Sequence, residues 1–219
     1  LCFMLIYVFM FGYVFKSKQQ YFAIFVFIGI TFWDFFNKCL IQSVKLIKAN
    51  KPIVSKVYIP KFILILVKIG VNGFKMFISL LIIVAMLAVW RVPITYNVIY
   101  IIPILMTLIV LVFGFSCYLL HYGVFVEDLS NVLNIALRFL FYLTGIFWSI
   151  MDRLPAPYNS YIGRCNPIAF LLTSARDCVI YGSTPHRKLL LLWFVIGLII
   201  SALGVRKIYK NENSYVKVI

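Results

Sequence analysis

The length of the apolar runs constrains this chain more than any other feature. Uncharged stretches such as 92–120 and 189–205 reach the length of roughly 17–25 residues with which helices cross a bilayer. They lack the alternation of apolar and polar residues that strands of a membrane barrel require. Hydrophobic residues make up 64% of the chain and charged residues 12%, which leaves too little polar surface for a water-soluble globule. The sequence therefore predicts an all-α integral membrane protein with a single domain, 1–219.

Six segments are predicted to be membrane-spanning helices. Pro103 is expected to kink the fourth of them or to mark its start. The first span begins inside an apolar run, so we expect its beginning, and anything before it, to be missing. The six predicted spans are 1–15, 21–50, 62–90, a helix within 92–120, 131–151 and 189–205.

A helix that is too short to cross a membrane is predicted between the fifth and sixth spans, inside the segment 152–188. Asn166 followed by Pro167 is typical of a helix start, and Gly182 of a helix stop after Tyr181. The helix would measure only about 22 Å, so we expect a dip, a plug or a gate whose ends meet protein or water. The alternative is an amphipathic helix on the bilayer surface.

Charged side chains recur along the second and third spans. Asp34 and Lys38 form an i, i+4 pair, which limits the cost of placing two charges near a bilayer. This pair is either structural or lines a pathway. Lys68 and Lys75 share a helix face with Asn72 and could attract an anionic lipid headgroup. For Lys68, snorkelling to the interface explains the position equally well.

The fifth predicted span combines one arginine with many aromatic residues. Arg138 requires a carboxylate, a carbonyl or a phosphate as its partner at membrane depth. The aromatic side chains suit either a belt at the membrane interface or a row that contacts sugar rings. The aromatic candidates for sugar contact are Trp33, Tyr142, Phe147 and Trp148.

Basic residues decide the predicted orientation only weakly. Five lysines lie between Lys45 and Lys61, and such a compact basic loop favours the cytoplasmic side. Counted over all the loops and the tail, including these five lysines, Lys and Arg divide almost evenly between the two sides. Glu127 and Asp128 form an acidic pair in the next loop on that side. They either stabilise a helix start through the macrodipole or offer carboxylates to a basic partner.

The sequence contains no catalytic signature. His121 and His186 form no HExxH pattern, and no phosphate-binding loop occurs, so we expect neither an enzyme nor a metal site, and no cofactor bound by this chain. The net charge of +15 suits lipid headgroups and membrane topology rather than nucleic acid. A membrane-embedded transferase is the alternative from another class, and His121 with Glu127 is its only candidate pair.

Four stretches together resemble one transporter family. They are FIGITFWDFF (27–36), IKANKPIVSKVYIPKFIL (47–64), FVEDLSNVLNIALRFLFYLTGIFW (125–148) and NPIAFLLTSARDCVIYG (166–182). In this order they resemble the permease subunits of ABC type-2 exporters of lipid-linked polysaccharides, such as O-antigen, teichoic acid and capsule. The resemblance covers nearly the whole chain. A related permease for a drug or small lipid is the nearest alternative.

The resemblance implies an assembly and a location. It implies six spans per subunit, short gate helices between spans five and six, and a homodimer in the bacterial plasma membrane. ATP and Mg would be held by two separate ATPase subunits. Members of this family usually begin with an interfacial helix before the first span, which we also expect to be missing here.

The resemblance also implies roles for individual residues. In the resulting hypothesis, Lys68, Lys75 and Arg138 attract the phosphates of the lipid-linked glycan, and Asp34 and Lys38 line the same pathway. The residues expected to couple to the ATPase are Asn50, Lys56, Pro60, Lys61, Glu127 and Asp128. The residues expected at the outer gate are Asn166, Pro167, Arg176 and Asp177.

Overall fold

A computed structural model describes residues 21–54, 59–93, 95–149, 158–212 and 214–215. These residues form helices and connecting turns, without a strand among them, so the all-α prediction is confirmed. A 3₁₀ helix, Tyr96–Tyr100, directly precedes the fifth α-helix. The α-helices are α1 (Phe22–Val44), α2 (Leu46–Ala49), α3 (Lys51–Val54), α4 (Lys61–Val89), α5 (Ile101–Phe125), α6 (Leu129–Leu143), α7 (Tyr158–Cys165), α8 (Pro167–Val179) and α9 (Arg187–Lys210).

Four helical segments are long and apolar enough to cross a membrane: α1, α4, α5 with its preceding 3₁₀ turn, and α9. They correspond to the second, third, fourth and sixth predicted spans. Pro103 lies in the first turn of α5, so it marks the start of the helix. The first predicted span, 1–15, lies outside the described residues, and the count of six spans stays a prediction.

The fifth predicted span differs most from expectation. We predicted a helix over 131–151, whereas α6 has 15 residues and ends at Leu143. It is followed by Gly145 in the left-handed region at φ +68°, a conformation that commonly terminates helices. The Thr144 hydroxyl donates to the carbonyl oxygen of Leu140 at 2.7 Å. Because the chain turns here, the expectation of a continuous helix to the end of this segment is wrong.

The short helix is present with the predicted start. The Asn166 side chain accepts hydrogen bonds from the backbone N–H groups of Ile168 and Ala169, at 3.1 Å and 3.3 Å, with proline at the first helical position. The helix ends at Val179, two residues before the predicted Tyr181. Gly182 then adopts φ +63°, as expected of a residue that stops a helix. The helix α7 precedes it directly.

The chain divides into two compact units, and each is described by itself. The first comprises Leu1–Asp34, Lys75–Leu105 and Leu140–Leu190 and contains α8. The second comprises Phe35–Phe74, Met106–Phe139 and Leu191–Ile219.

In the second unit, small residues bring α5 and α9 together. A Cβ atom on Gly114 would lie 3.0 Å from the Ser201 Oγ, and one on Gly204 would lie 2.7 Å from the Cys117 Cβ. The Ser201 hydroxyl donates to the carbonyl oxygen of Val110 at 3.0 Å. Small residues of this kind let membrane helices approach closely.

Candidate functional site

Arg176 anchors the short helix α8 to the interior of the first unit. Its side chain is 3% exposed, and its planar guanidinium donates three hydrogen bonds to backbone carbonyl oxygens. The acceptors are Phe25 at 3.1 Å, Gly145 at 2.9 Å and Ile146 at 2.6 Å. The guanidinium carbon also lies 3.5 Å from the centroid of the Phe25 ring, a cation–π contact. One side chain therefore links α8 to α1 and to the turn after α6.

The termination of α6 and the burial of Arg176 depend on each other. The carbonyl groups of Gly145 and Ile146 lie beyond the end of α6, and in a membrane protein such groups need a donor from protein or water. Arg176 supplies that donor. Gly29 provides the space, because a Cβ atom there would lie 2.6 Å from the Arg176 Nη2 and 3.0 Å from the Ile146 Cγ2.

Burial shifts the pKa values of both charged residues of the short helix. It lowers the pKa of Arg176 to about 9, although Tyr181 and Asp177 partly oppose the change, so the guanidinium stays protonated at neutral pH. Burial raises the pKa of Asp177 to about 6 against the opposing charges of Arg176 and His186. The helix thus carries a buried cation and a carboxyl group that titrates near neutrality.

A cavity of about 180 Å³ lies beside α8 in the same unit. Residues of both charge signs and three hydroxyl-bearing residues line it, together with an aromatic ring. This lining suits water or a small polar group. The residues that give it this character are Arg164, Phe170, Thr173, Ser174, Asp177, Thr184 and His186.

The predicted gate residues therefore have different environments. Asn166 and Pro167 form the start of α8, and the Asn166 amide also donates to the Thr144 hydroxyl at 3.4 Å. Asp177 faces the cavity, whereas Arg176 points into the protein. The three backbone acceptors of Arg176 could not be found from sequence, because they lie 151, 31 and 30 residues before it.

Three of the aromatic candidates meet around Phe141. The Phe141 ring packs edge-on against Trp33, Tyr142 and Phe147, with ring centroids 5.4, 5.6 and 5.5 Å apart. Trp33 is buried at 8% exposure, whereas Tyr142 is 71% exposed. Trp148 is half-buried. Tyr142 is accordingly the most accessible member of this cluster, and Trp33 serves packing.

The predicted polar face of α4 divides into a buried and an accessible part. Asn72 is 2% exposed, and its amide donates to the Gln42 Oε1 at 3.0 Å and contacts the Cys39 Sγ at 3.5 Å. Lys68 is half-buried and Lys75 is exposed. Asn72 therefore joins α4 to α1, and the two lysines keep accessible surface. The remaining charged candidates, Asp34, Lys38 and Arg138, are exposed.

The candidates for coupling also differ in exposure. Glu127 and Asp128 are exposed, and the Asp128 carboxylate accepts from the Asn131 amide at 3.1 Å at the start of α6. Lys61 is 2% exposed, and its Nζ lies 3.4 Å from the Glu212 Oε1. Lys61 thus faces protein rather than an outside partner.

Two further coupling candidates, Asn50 and Pro60, lie directly beside helix ends. The Asn50 amide donates to the carbonyl oxygen of Leu46 at 2.7 Å, at the end of α2. Pro60 is half-buried directly before α4. Lys56 lies outside the described residues.

Sequence reasoning missed two residues of this region, Glu212 and Tyr215. Tyr215 is 0% exposed, and its hydroxyl lies 2.7 Å from the His121 Nδ1. The available signal was a glutamate and a tyrosine in an otherwise basic tail. Among the residues that the structure describes, no group of three His, Cys, Asp or Glu side chains is arranged to hold a metal ion.

Comparison with known proteins shows that the sequence of this chain is similar to that of export permeases. No protein-family model matches it. An O-antigen export system permease protein RfbA of Klebsiella pneumoniae is 24% identical over 220 residues, covering 100% of this chain and 84% of the relative. A second RfbA protein of the same organism is 23% identical over the same coverage. The resemblance to ABC type-2 polysaccharide-export permeases that the sequence predicted is therefore confirmed, and it extends along the whole chain.

Proposed function

We propose that this chain is the membrane-spanning permease subunit of an exporter that moves a lipid-linked polysaccharide across the bacterial plasma membrane. The observation that carries the proposal is the similarity of the whole of this chain to two O-antigen export permeases. The four long apolar helices support a multi-pass membrane protein. The short helix α8 between α6 and α9 supports a transport role, because such segments in membrane proteins border protein or water-filled cavities.

In this proposal the chain forms the transport pathway for the glycan, and separate partner subunits hydrolyse ATP. Two copies form the pathway, and two ATPase subunits bind on the cytoplasmic side with ATP and Mg. Glu127 and Asp128 are exposed at the start of α6, so their carboxylates are available to a basic surface of the ATPase. Movement of this segment would then tilt α5 and α6.

The accessible cations and aromatic groups suit a lipid diphosphate followed by sugars. Lys68, Lys75 and Arg138 each keep accessible surface on α4 and α6, and ammonium and guanidinium groups bind phosphate through charge-assisted hydrogen bonds. Tyr142 exposes most of its ring, and an aromatic face can pack against a sugar ring. The phosphates would be attracted first, and the glycan would follow.

The helix α8 is proposed to act as the outer gate. Arg176 holds it to α1 and to the turn after α6 through three backbone carbonyl groups. A displacement of α8 that the Arg176 side chain cannot follow breaks these hydrogen bonds. The anchor therefore favours the closed position and sets a barrier to opening.

A deletion strain tests the proposed function directly. We expect cells that lack this gene to accumulate lipid-linked glycan on the cytoplasmic face of the membrane, and the wild-type gene to restore its appearance at the cell surface. Normal surface glycan in the deletion strain, with altered sensitivity to a drug or loss of a small lipid, would contradict polysaccharide export. It would instead support a permease for small molecules.

A further inference from the structure

The segment after the apolar part of α9 folds back onto the start of α4. Glu212 lies beside Lys61, with 3.4 Å between the Oε1 and Nζ atoms, and the two side chains are only 10% and 2% exposed. The Lys61 ammonium also donates to the carbonyl oxygen of Ile59 at 3.0 Å. One turn earlier in α9, the Tyr209 ring lies 5.6 Å from the Phe62 ring. This end of the chain is therefore fixed to the predicted coupling segment at Pro60 and Lys61.

The same segment is also fixed to the end of α5. The Tyr215 hydroxyl lies 2.7 Å from the His121 Nδ1, and its ring centroid lies 5.8 Å from His121 and 6.1 Å from Phe125. The Lys207 ammonium donates to the Tyr122 hydroxyl at 2.6 Å. Phe125 is the last residue of α5, and only Val126 separates it from Glu127 and Asp128.

We propose that residues 207–212 and 214–215, here called the C-terminal brace, hold the two predicted coupling segments in a fixed relation, with Glu212 and Tyr215 as positioning residues. Lys61 is buried against Glu212, so a displacement of Pro60 and Lys61 also displaces the brace. The contact between Tyr215 and His121 then transmits this displacement to the end of α5. The consequence for transport rests on the proposed function, whereas the mechanical link depends only on this chain.

The chemistry of the two contacts makes the link sensitive to single substitutions. A buried ion pair that loses one partner leaves an uncompensated charge, which strongly favours rearrangement. A buried hydroxyl–imidazole hydrogen bond that loses its hydroxyl leaves a ring nitrogen without its partner. Each substitution should therefore loosen both coupling segments, including the one that it does not contact.

Hydrogen–deuterium exchange on the full chain in lipid nanodiscs tests the link without any ATPase. We expect Glu212→Lys to speed exchange at least threefold in both 59–63 and 121–128, and the exchanged pair Lys61→Glu/Glu212→Lys to reverse most of that increase. Tyr215→Phe keeps the ring and should speed exchange in both segments as well. Tyr209→Phe removes a hydroxyl from the same segment at a side chain that is 48% exposed, and it serves as the matched control without effect.

The outcomes separate the brace from general destabilisation. Faster exchange in both coupling segments, with α8 unchanged, supports the brace. Faster exchange in the contacted segment alone, or no rescue by the exchanged pair, overturns it. In the complex with ATPase, Tyr215→Phe should raise the ATP hydrolysed per glycan exported at least twofold. An unchanged ratio overturns the consequence for transport, whereas absence of an ATPase complex counts against the proposed function alone.

Discussion

The Arg176 guanidinium donates to the carbonyl oxygen of Ile146 at 2.6 Å, three residues beyond the end of α6. One side chain thus joins α8, which is too short to cross a membrane, to the early end of α6. The arginine needs acceptors because it is buried, and the carbonyl groups need donors because α6 no longer provides them. The buried arginine and the free carbonyl groups after α6 therefore satisfy each other's hydrogen-bonding requirement.

Replacing Arg176 by Met should strongly destabilise the protein. The substitution removes the donor of the Gly145 and Ile146 carbonyl groups, which lie outside any helix, and each unsatisfied buried group costs about 1–3 kcal/mol before relaxation. We expect a large fall in the thermal unfolding midpoint in detergent or nanodiscs. Arg176→Lys keeps a charge but not the planar fork, so it should be intermediate. A midpoint for Arg176→Met equal to that of the wild type would contradict the anchor.

Gly29→Ala should weaken the same anchor from the opposite side. The added methyl group would lie 2.6 Å from the Arg176 Nη2, and such overpacking typically costs about 1–3 kcal/mol. Gly70→Ala is the matched control, because nothing lies within 4 Å of the methyl group that it adds. We expect a lower midpoint for the first variant only. Equal midpoints for both would show that Gly29 is not a close-approach position.

The carboxyl group of Asp177 should make stability depend on pH. Burial raises its pKa from 3.8 to about 6, so the folded state prefers the protonated form. The ionised carboxylate therefore lowers the free energy of unfolding as pH rises from about 4 through about 6. At about 1.4 kcal/mol per pKa unit, Asp177→Asn should be more stable than the wild type at pH 8 by up to roughly 3 kcal/mol. At pH 4 the free energies of unfolding of Asp177→Asn and of the wild type should differ little.

The opposite result at Asp177 would be equally informative. If Asp177→Asn is less stable than the wild type at pH 8, the opposing charges of Arg176 and His186 outweigh burial. Thr173→Val alters the same cavity wall without changing its charge. Its stability relative to the wild type should be independent of pH.

Replacing Lys68 and Lys75 together by Gln should lower export by roughly tenfold, about 1.4 kcal/mol of lost phosphate interaction. Both side chains have accessible surface, so assembly and membrane insertion should be unchanged. Lys188→Gln removes an exposed charge at the start of α9 and serves as the control. Surface glycan is the readout, and normal export by the double variant would rule out a role for these lysines in headgroup binding.

Local signals made much of the fold predictable. Asn166, Pro167 and Gly182 influence the backbone only within a few residues of their own positions. The short helix and its start could therefore be predicted from the sequence. The long, mainly apolar run of α4 also followed from sequence, because its ends, Lys61 and Val89, lie within one residue of the predicted span 62–90. The early end of α6 did not follow from sequence, because it depends on Arg176, which lies far along the chain.

The environments of the candidate site residues were less predictable than the helices. Lys61 belongs to a loop rich in lysine, and exposure was the natural expectation. It is buried because Glu212 lies beside it, and these residues are 151 positions apart. Trp33 is buried for a similar reason, because it packs against Phe141 from a different helix. Sequence patterns locate charged and aromatic residues, whereas tertiary contacts decide which of them remain accessible.

Reconstitution with an ATPase subunit tests the proposed export function. The protein would be produced together with a candidate ATPase subunit, isolated in lipid, and assayed for ATP hydrolysis with and without lipid-linked glycan. We expect a stable complex of two permeases and two ATPases whose ATP hydrolysis rises at least threefold with glycan. Failure to bind the ATPase, or a rate indifferent to glycan, would contradict the proposed export function.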